Sequence, residues 1–179
     1  IKGKNIKKFN SKPIIELAFK IARRSKIFDK IIITTDSNKV LKLGKKIGFD
    51  ILIKRPKKLS SDHIGTAPVI KHAIQSLKQK INFDNVCCIY PCNPFIQSKD
   101  LKNCVLKLKK NKDNFIFPIT NFSHPIERAL NVNKTKRLNY VIKKFAKKRT
   151  QDFKIKYHDT GQFYFASKEI WLNLKKAKK

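Results

Sequence analysis

The sequence is poor in acidic residues and has no methionine. It contains 12 Asp and Glu residues against 43 Lys and Arg residues, which gives a formal net charge of +31 over 179 residues. No apolar run approaches the roughly 18 residues that a membrane span needs, and the first residues lack the apolar core of a signal peptide. Because Met is absent even at position 1, we expect the chain to be a fragment of a longer protein.

The excess positive charge is spread evenly along the chain and comes mostly from Lys. Proteins that bind nucleic acid need a basic patch or stripe, and they favour the planar guanidinium of Arg for reading bases and phosphates. The composition therefore favours solvated Lys-rich faces or an acidic small-molecule substrate. A basic nucleic-acid-binding module remains an alternative of a different class. The hydrophobic content of 41% is enough for the core of one domain.

The four cysteines have no spacing that is typical of a zinc site. Cys87 and Cys88 lie in an apolar run, residues 86–90, that is typical of a buried strand. We therefore predict buried structural thiols, which favours a reducing, cytoplasmic compartment.

Helix and strand signals alternate over the first two-thirds of the chain. Strands are predicted at residues 30–35, 50–53, 86–90 and 115–120, with a return strand at 162–166. Helices are predicted after Ser11, over residues 38–47, from a cap at Thr66, from Ser98 and from a cap at Ser167. This order predicts an α/β fold, a mostly parallel sheet with helices on both faces. Ligands bind such sheets at the carboxyl ends of the strands.

The pattern changes between about residues 126 and 157. Two short alternating segments, residues 130–133 and 138–142, flank a polar and basic turn. We interpret this region as a hairpin inserted into a single domain that covers residues 1–179.

Four polar groups are candidates for a site. Each also has a structural explanation: a solvated Lys, a helix entry, a rigid turn or a strand end. The His158-Asp159 pair is not a catalytic dyad by itself, because neighbouring side chains on a strand diverge. The four groups are Lys4-Asn5, the loop Arg55 to His63 with Ser60 and Asp62, the loop Tyr90 to Phe95 with Asn93, and the segments 149–152 and 157–164.

These residues carry a family resemblance. The motifs Lys4-Asn5-Ile6, Arg55-Pro56, Leu59 to His63 and Ile89-Tyr90-Pro91 occur in the same order in cytidylyltransferases that activate acidic sugars. Together with Tyr157 to Tyr164, they make the chain resemble the CMP-N-acetylneuraminic acid synthetase (acylneuraminate cytidylyltransferase) family. More narrowly, it resembles the branch that acts on pseudaminic acid.

The resemblance implies a Rossmann-like three-layer nucleotidyltransferase fold and the transfer of CMP from CTP to a nine-carbon 2-keto sugar acid, for bacterial surface glycans or flagellin. It also implies magnesium as cofactor and a homodimer formed through the arm at about 126–157. N-acetylneuraminate and legionaminate are alternative sugars. The resemblance implies nucleotide contacts for Lys4, Asn5, Arg55, Ser60 and Asp62, and sugar contacts for Asn93, Arg128, Gln151, His158, Asp159, Gln162 and Tyr164.

The chain departs from the family pattern at both ends. The family has a Gly-rich basic loop just before the position of Lys4, and an Asp-x-Asp segment for magnesium near its end. Neither is found in the sequence, so the metal ligands are expected outside residues 1–179. We expect residues 1–179 to be inactive alone, and a nucleotidyltransferase-like domain that has lost its activity remains a further alternative.

Overall fold

The computed structural model of the protein describes residues 3–177, which form two compact units. The first unit extends to Phe117 and resumes at Gln162, and the second is Pro118–Gly161. The second unit contains the segment predicted as an inserted arm. Within residues 3–177, no helix is long and apolar enough to cross a membrane.

The helices and strands follow one another in the order expected of an α/β protein. In chain order they are β1 (Lys8–Phe9), β2 (Lys12–Pro13), α1 (Ile14–Ser25), β3 (Ile32–Thr35), α2 (Asn38–Ile47), β4 (Ile51–Lys54), α3 (Thr66–Leu77), β5 (Asn85–Ile89), α4 (Ser98–Lys110), β6 (Ile119–Asn121), β7 (Leu130–Val132), β8 (Leu138–Tyr140), β9 (Tyr157–Asp159), β10 (Phe163–Ser167) and α5 (Lys168–Leu172).

The strands of the first unit pair in both directions. β3 and β4 are parallel, with Ile33 opposite Leu52, whereas β10 is antiparallel to β5, with Ala166 opposite Val86. Within residues 3–177, parallel pairing is confined to β3 and β4 and the other strand pairs are antiparallel, so the expected mostly parallel sheet is not found among these strands. Helices that cover parallel and antiparallel strands confirm the predicted α/β class, and β10 is the predicted return strand.

α2 has the bounds that its sequence predicts, because both ends carry local stop signals. The Ser37 hydroxyl accepts a hydrogen bond from the Val40 amide, and Gly48 ends the helix with a φ of 98°. A positive φ of this size suits Gly, which has no Cβ. In the middle of the helix, a Cβ on Gly44 would lie 3.0 Å from Leu52 Cδ2. The helix therefore packs closely on β4.

The first residue of α3 has a different role from the predicted one. Thr66 was expected to cap the helix, but Gly65 occupies the cap position and no side chain accepts a hydrogen bond there. The Thr66 hydroxyl instead hydrogen-bonds to the Tyr90 hydroxyl. The prediction was wrong because a distant tyrosine supplies the partner of this hydroxyl. The predicted cap at Ser167 is confirmed, since its hydroxyl accepts from the Ile170 amide.

The core of the first unit consists of clusters on either side of β5 and β10. Leu101 of α4 and Phe163 of β10 are fully buried in one of them. On the other side, Trp171 of α5 packs with Ile74 of α3 and donates its indole N–H to the Val86 carbonyl at 3.1 Å. α3 also contacts β4, because Ala73 and Leu77 pack against Ile53. α3 therefore holds both pairs of strands in place.

Asp50 connects α1 to β3 by two hydrogen bonds to one carboxylate oxygen. The Ile31 amide donates to Asp50 Oδ2 at 2.6 Å, and Arg23 Nη2 donates to the same oxygen at 3.0 Å. Desolvation opposes the ionisation of this carboxyl, but these two donors outweigh it and lower the pKa of Asp50.

We expect Asp50→Asn to lower the free energy of unfolding by about 1 kcal/mol near neutral pH, because the charged acceptor is lost. Since the folded-state pKa lies below the unfolded-state value, the contribution of Asp50 is present above the unfolded-state pKa and is lost as pH falls through the folded-state pKa. Urea unfolding monitored by Trp171 fluorescence should therefore separate variant from wild type near neutrality and not in strong acid. A difference that is as large in strong acid would contradict the prediction.

The second unit contains two antiparallel pairs, β6–β9 and β7–β8. The predicted hairpin is confirmed as β7–β8, with Leu130 opposite Tyr140 and Val132 opposite Leu138. The strand predicted at 115–120 begins later, at Ile119. The buried Glu127 carboxylate pairs with the Lys156 ammonium. This ion pair connects the turn Ile126–Arg128 to the segment just before β9.

Candidate functional site

Arg55 and Ser60 are brought together directly after β4. Arg55 Nε donates to Ser60 Oγ at 3.0 Å, and Ser60 Oγ donates to the Pro56 carbonyl at 3.2 Å. Arg55 Nη2 lies 3.9 Å from Oδ1 of Asp36, which follows β3. These contacts orient a half-buried guanidinium at the carboxyl ends of two parallel strands. Asp62 lies in the same loop and is exposed.

Asn5 lies next to the loop that follows β5. It belongs to the turn Lys4–Ile6, and its Oδ1 accepts a hydrogen bond from Cys92 Sγ at 2.9 Å. Burial raises the pKa of the Cys92 thiol, and the positive charge of Lys4 acts in the opposite direction. Lys4, Asn5 and Cys92 therefore form one group, and Asn93 follows directly in the chain. The sequence analysis did not select Cys92.

The other cysteines behave as the sequence predicts. Cys104 is buried and Cys87 packs in the same cluster. Burial raises the pKa of the Cys88 thiol to about 12, and it raises that of Cys87 well above its ordinary value. These thiols stay protonated near neutral pH and are structural. Cys92 differs, because it is exposed.

Tyr90 connects the loop after β5 to the start of β10. Its amide donates to the Gln162 carbonyl at 2.9 Å, and its ring meets the Tyr164 ring edge-on with centroids 5.6 Å apart. Tyr164 also packs against Phe117 at 5.7 Å. The predicted sugar-binding residues Gln162 and Tyr164 therefore contact Tyr90, to which the sequence analysis assigned no binding role.

The remaining candidates lie in the second unit. Arg128 donates to the Ala146 carbonyl at 3.1 Å and to Thr150 Oγ1 at 3.4 Å, and the exposed Gln151 is next to Thr150. These contacts bring Arg128 and Gln151 into one neighbourhood.

His158 and Asp159 are exposed on β9. The His158 ring packs against Phe122 with centroids 4.8 Å apart, and its Nδ1 lies 2.9 Å from the Asp159 carbonyl oxygen. The Asp159 carboxylate accepts from the Gly161 amide at 2.7 Å. His158 thus contacts the main chain of Asp159.

Magnesium is the cofactor that the family resemblance implies, and proteins often hold it by only one or two carboxylates together with substrate phosphates. Within residues 3–177, no group of three or more His, Cys, Asp or Glu side chains is arranged to hold a metal ion. Ligands for the magnesium that the family resemblance implies are therefore not identified among these residues.

The comparisons with known proteins agree on one family. The model of the cytidylyltransferase family matches residues 1–176. The chain belongs to the cytidylyltransferase family. It is therefore a nucleotidyltransferase by family.

Two relatives cover nearly the whole chain. The chain is 34% identical over 173 residues to a pseudaminic acid cytidylyltransferase of Campylobacter jejuni, a match that covers 96% of this chain and 75% of the relative. It is 32% identical over 176 residues to a Helicobacter pylori protein named pseudaminic acid cytidylyltransferase and UDP-2,4-diacetamido-2,4,6-trideoxy-beta-L-altropyranose hydrolase. That match covers 98% of this chain and 34% of the relative.

A solved structure supports the fold independently. The chain matches a CMP:2-keto-3-deoxy-manno-octonic acid synthetase complexed with CTP, with a TM-score of 0.70 and 14% identity. The match covers 100% of this chain and 73% of that structure. It confirms the predicted nucleotidyltransferase fold.

Proposed function

We propose that the protein transfers CMP from CTP to the anomeric hydroxyl of pseudaminic acid and releases pyrophosphate. The observation that carries the proposal is the 34% identity over 96% of the chain to a relative of that name. In the reaction, the sugar oxygen forms a bond to the α-phosphorus as the bond from that phosphorus to the pyrophosphate oxygen breaks. The proton of the hydroxyl leaves to solvent or a base, and no residue is assigned as that base.

The nucleotide roles are assigned to residues of the first unit. Arg55 has an orientation fixed by Ser60 and Asp36, so its remaining N–H groups are available to the acceptor edge of cytosine. Asp62 supplies an exposed acceptor for the amino group of the base. Lys4 and Asn5, beside Cys92, are assigned to the phosphates, where an ammonium offsets negative charge.

The sugar roles are assigned by chemistry within each unit. Arg128 and Gln151 carry donors that suit the carboxylate of the sugar acid. His158 and Asp159 suit its hydroxyls, as do Asn93, Gln162 and Tyr164 of the first unit. The transfer itself then depends on positioning the two anionic substrates and neutralising their charge. Magnesium remains a proposal, and a cytoplasmic location remains a prediction.

Product analysis with a panel of sugars tests the proposed function. Purified full-length protein is incubated with CTP, magnesium and either pseudaminic, N-acetylneuraminic or legionaminic acid, and CMP-sugar and pyrophosphate are separated by anion-exchange chromatography. We expect product with pseudaminic acid. Product only with another sugar would replace the substrate and keep the enzyme class. Absence of product together with salt-sensitive DNA binding would favour the nucleic-acid alternative.

We also propose that the hairpin β7–β8 pairs with a second copy of the chain. Directly opposed side chains share a face of an antiparallel pair, so Leu130, Val132, Leu138 and Tyr140 form one apolar face. All four are exposed, Val132 at 66% and Leu138 at 63%. An isolated two-stranded hairpin is marginal in water, so burial of this face against an identical one would stabilise it.

Leu138→Asp is expected to weaken this dimer by about thirtyfold in Kd, because a carboxylate would be buried in an apolar contact. The matched control is Asn139→Asp, which places the same charge on the opposite face of β8. Sedimentation equilibrium measures both variants. A monomeric wild type, or equal weakening by both substitutions, would contradict the proposal.

A further inference from the structure

The loop from Pro56 to Gly65 carries Ser60 and Asp62 and, apart from the link from Ser60 through Arg55 to Asp36, it is held by local hydrogen bonds. Its backbone hydrogen bonds are local: the Leu59 amide donates to the Pro56 carbonyl at 3.0 Å, and the Ile64 amide donates to the Ser61 carbonyl at 3.1 Å. Within residues 3–177, the hydrogen bonds of residues 56–65 all join residues at most five positions apart. Such bonds shape a loop but do not hold it against the rest of the protein.

A second anchor of this loop to another element lies at its end. Thr66 follows Gly65 directly, and its hydroxyl bonds to the hydroxyl of Tyr90, 24 residues further along the chain. Both side chains are half-buried, so the bond is partly shielded from water. No side chain caps the start of α3. The bond to Tyr90 therefore holds Thr66, the first residue of the helix, in place.

Tyr90 is itself held from two directions. Its amide donates to the Gln162 carbonyl, and its ring lies edge-on to Tyr164, a geometry that aromatic pairs prefer. The ring is thus fixed by the residues that begin β10, and its hydroxyl reaches the end of the loop. One side chain thereby couples the loop that carries Ser60 and Asp62 to the segment that carries Gln162 and Tyr164.

We propose that Tyr90 is a positioning residue for CTP binding. Its hydroxyl sets the position of the loop 56–65 through Thr66, and it does so without contact to the reacting atoms. The inference rests on the proposed function for the identity of the ligand. The anchoring of the loop by the Tyr90 hydroxyl does not depend on the proposed function.

The test removes the hydroxyl and keeps the ring. In Tyr90→Phe, amide hydrogen exchange of residues 57–66 is expected to become about three- to tenfold faster, the range that corresponds to one net hydrogen bond. Thr66→Val should accelerate exchange by the same factor, whereas Thr66→Ser, which keeps the hydroxyl, should exchange like wild type. The double variant Tyr90→Phe with Thr66→Val should exchange little faster than either single variant. The matched control is Ser76→Ala, which removes a hydroxyl bond to the His72 carbonyl within α3.

The kinetic constants of CMP-sugar formation separate a positioning role of Tyr90 from a general loss of stability. If CMP-sugar is formed, Tyr90→Phe should raise the KM for CTP about three- to tenfold and leave kcat within about twofold. Exchange of residues 57–66 that matches wild type, or that accelerates equally in Ser76→Ala, would overturn the inference. A full-length wild-type protein that forms no CMP-sugar would overturn the proposed function, while the exchange comparison would still decide the role of Tyr90.

Discussion

Replacing Lys156 by Met is expected to destabilise the second unit by about 3 kcal/mol, because it leaves a buried carboxylate without its counter-ion. Glu127 is 6% exposed, and its Oε1 pairs with the Lys156 ammonium. Its Oε2 has no hydrogen-bond partner within residues 3–177. The remaining charge would therefore have to be solvated by local opening or be neutralised by protonation.

Hydrogen exchange of residues 118–161 measures this effect, since the single Trp lies in the other unit. A loss of about 3 kcal/mol corresponds to exchange that is roughly 100-fold faster for the slowest amides. The double variant Glu127→Leu with Lys156→Met should recover most of the loss, because it removes both charges. Lys154→Met is the control on the same segment. Equal behaviour of the Lys154 and Lys156 variants would show that the pair is not needed.

Arg55→Ala is expected to lower kcat/KM for CTP by about 10- to 100-fold, the range of a lost hydrogen bond to a charged group. The guanidinium is held by Ser60 at 3.0 Å and lies 3.9 Å from the Asp36 carboxylate, so it is oriented before the nucleotide binds. Arg55→Lys should recover only part of the loss, because an ammonium keeps the charge and lacks the planar fork.

Arg24→Ala is the control, since it removes the same charge from an exposed position near the end of α1. Initial rates of CMP-sugar formation, or CTP titration calorimetry, measure all three variants. A loss for Arg24→Ala as large as that for Arg55→Ala would mean that only net charge matters. An unchanged kcat/KM in Arg55→Ala would remove Arg55 from the nucleotide site.

The elements that sequence reasoning located well are those with signals at their own ends. α2 begins after Ser37 and ends at Gly48, so both boundaries follow from residues adjacent to the helix. The hairpin β7–β8 follows from alternation around a polar turn. Thr66 shows the limit of such reasoning, because a hydroxyl at a helix start was taken for a cap although its partner is a distant tyrosine.

The candidate site was predicted as separate short segments, and its residues remain predictions for binding. The sequence placed Arg55 and Ser60 in one loop, and in the structure a hydrogen bond joins these two residues. It did not reveal Asp36 as a neighbour of Arg55, or Cys92 as a neighbour of Asn5. Asp36 and Arg55 directly follow β3 and β4, and only the parallel pairing of these two strands brings the two side chains together.

What the sequence by itself determined is the set of local elements, the α/β class and the family likeness, because periodicity, caps and motifs lie within a few neighbouring residues. The tertiary structure alone decided which polar groups meet: Asn5 with Cys92, 87 residues apart, and Glu127 with Lys156, 29 residues apart. Such contacts form only when burial of apolar side chains brings distant segments together. The residues that neighbour a side chain in sequence do not indicate which distant side chain it will contact in the folded protein.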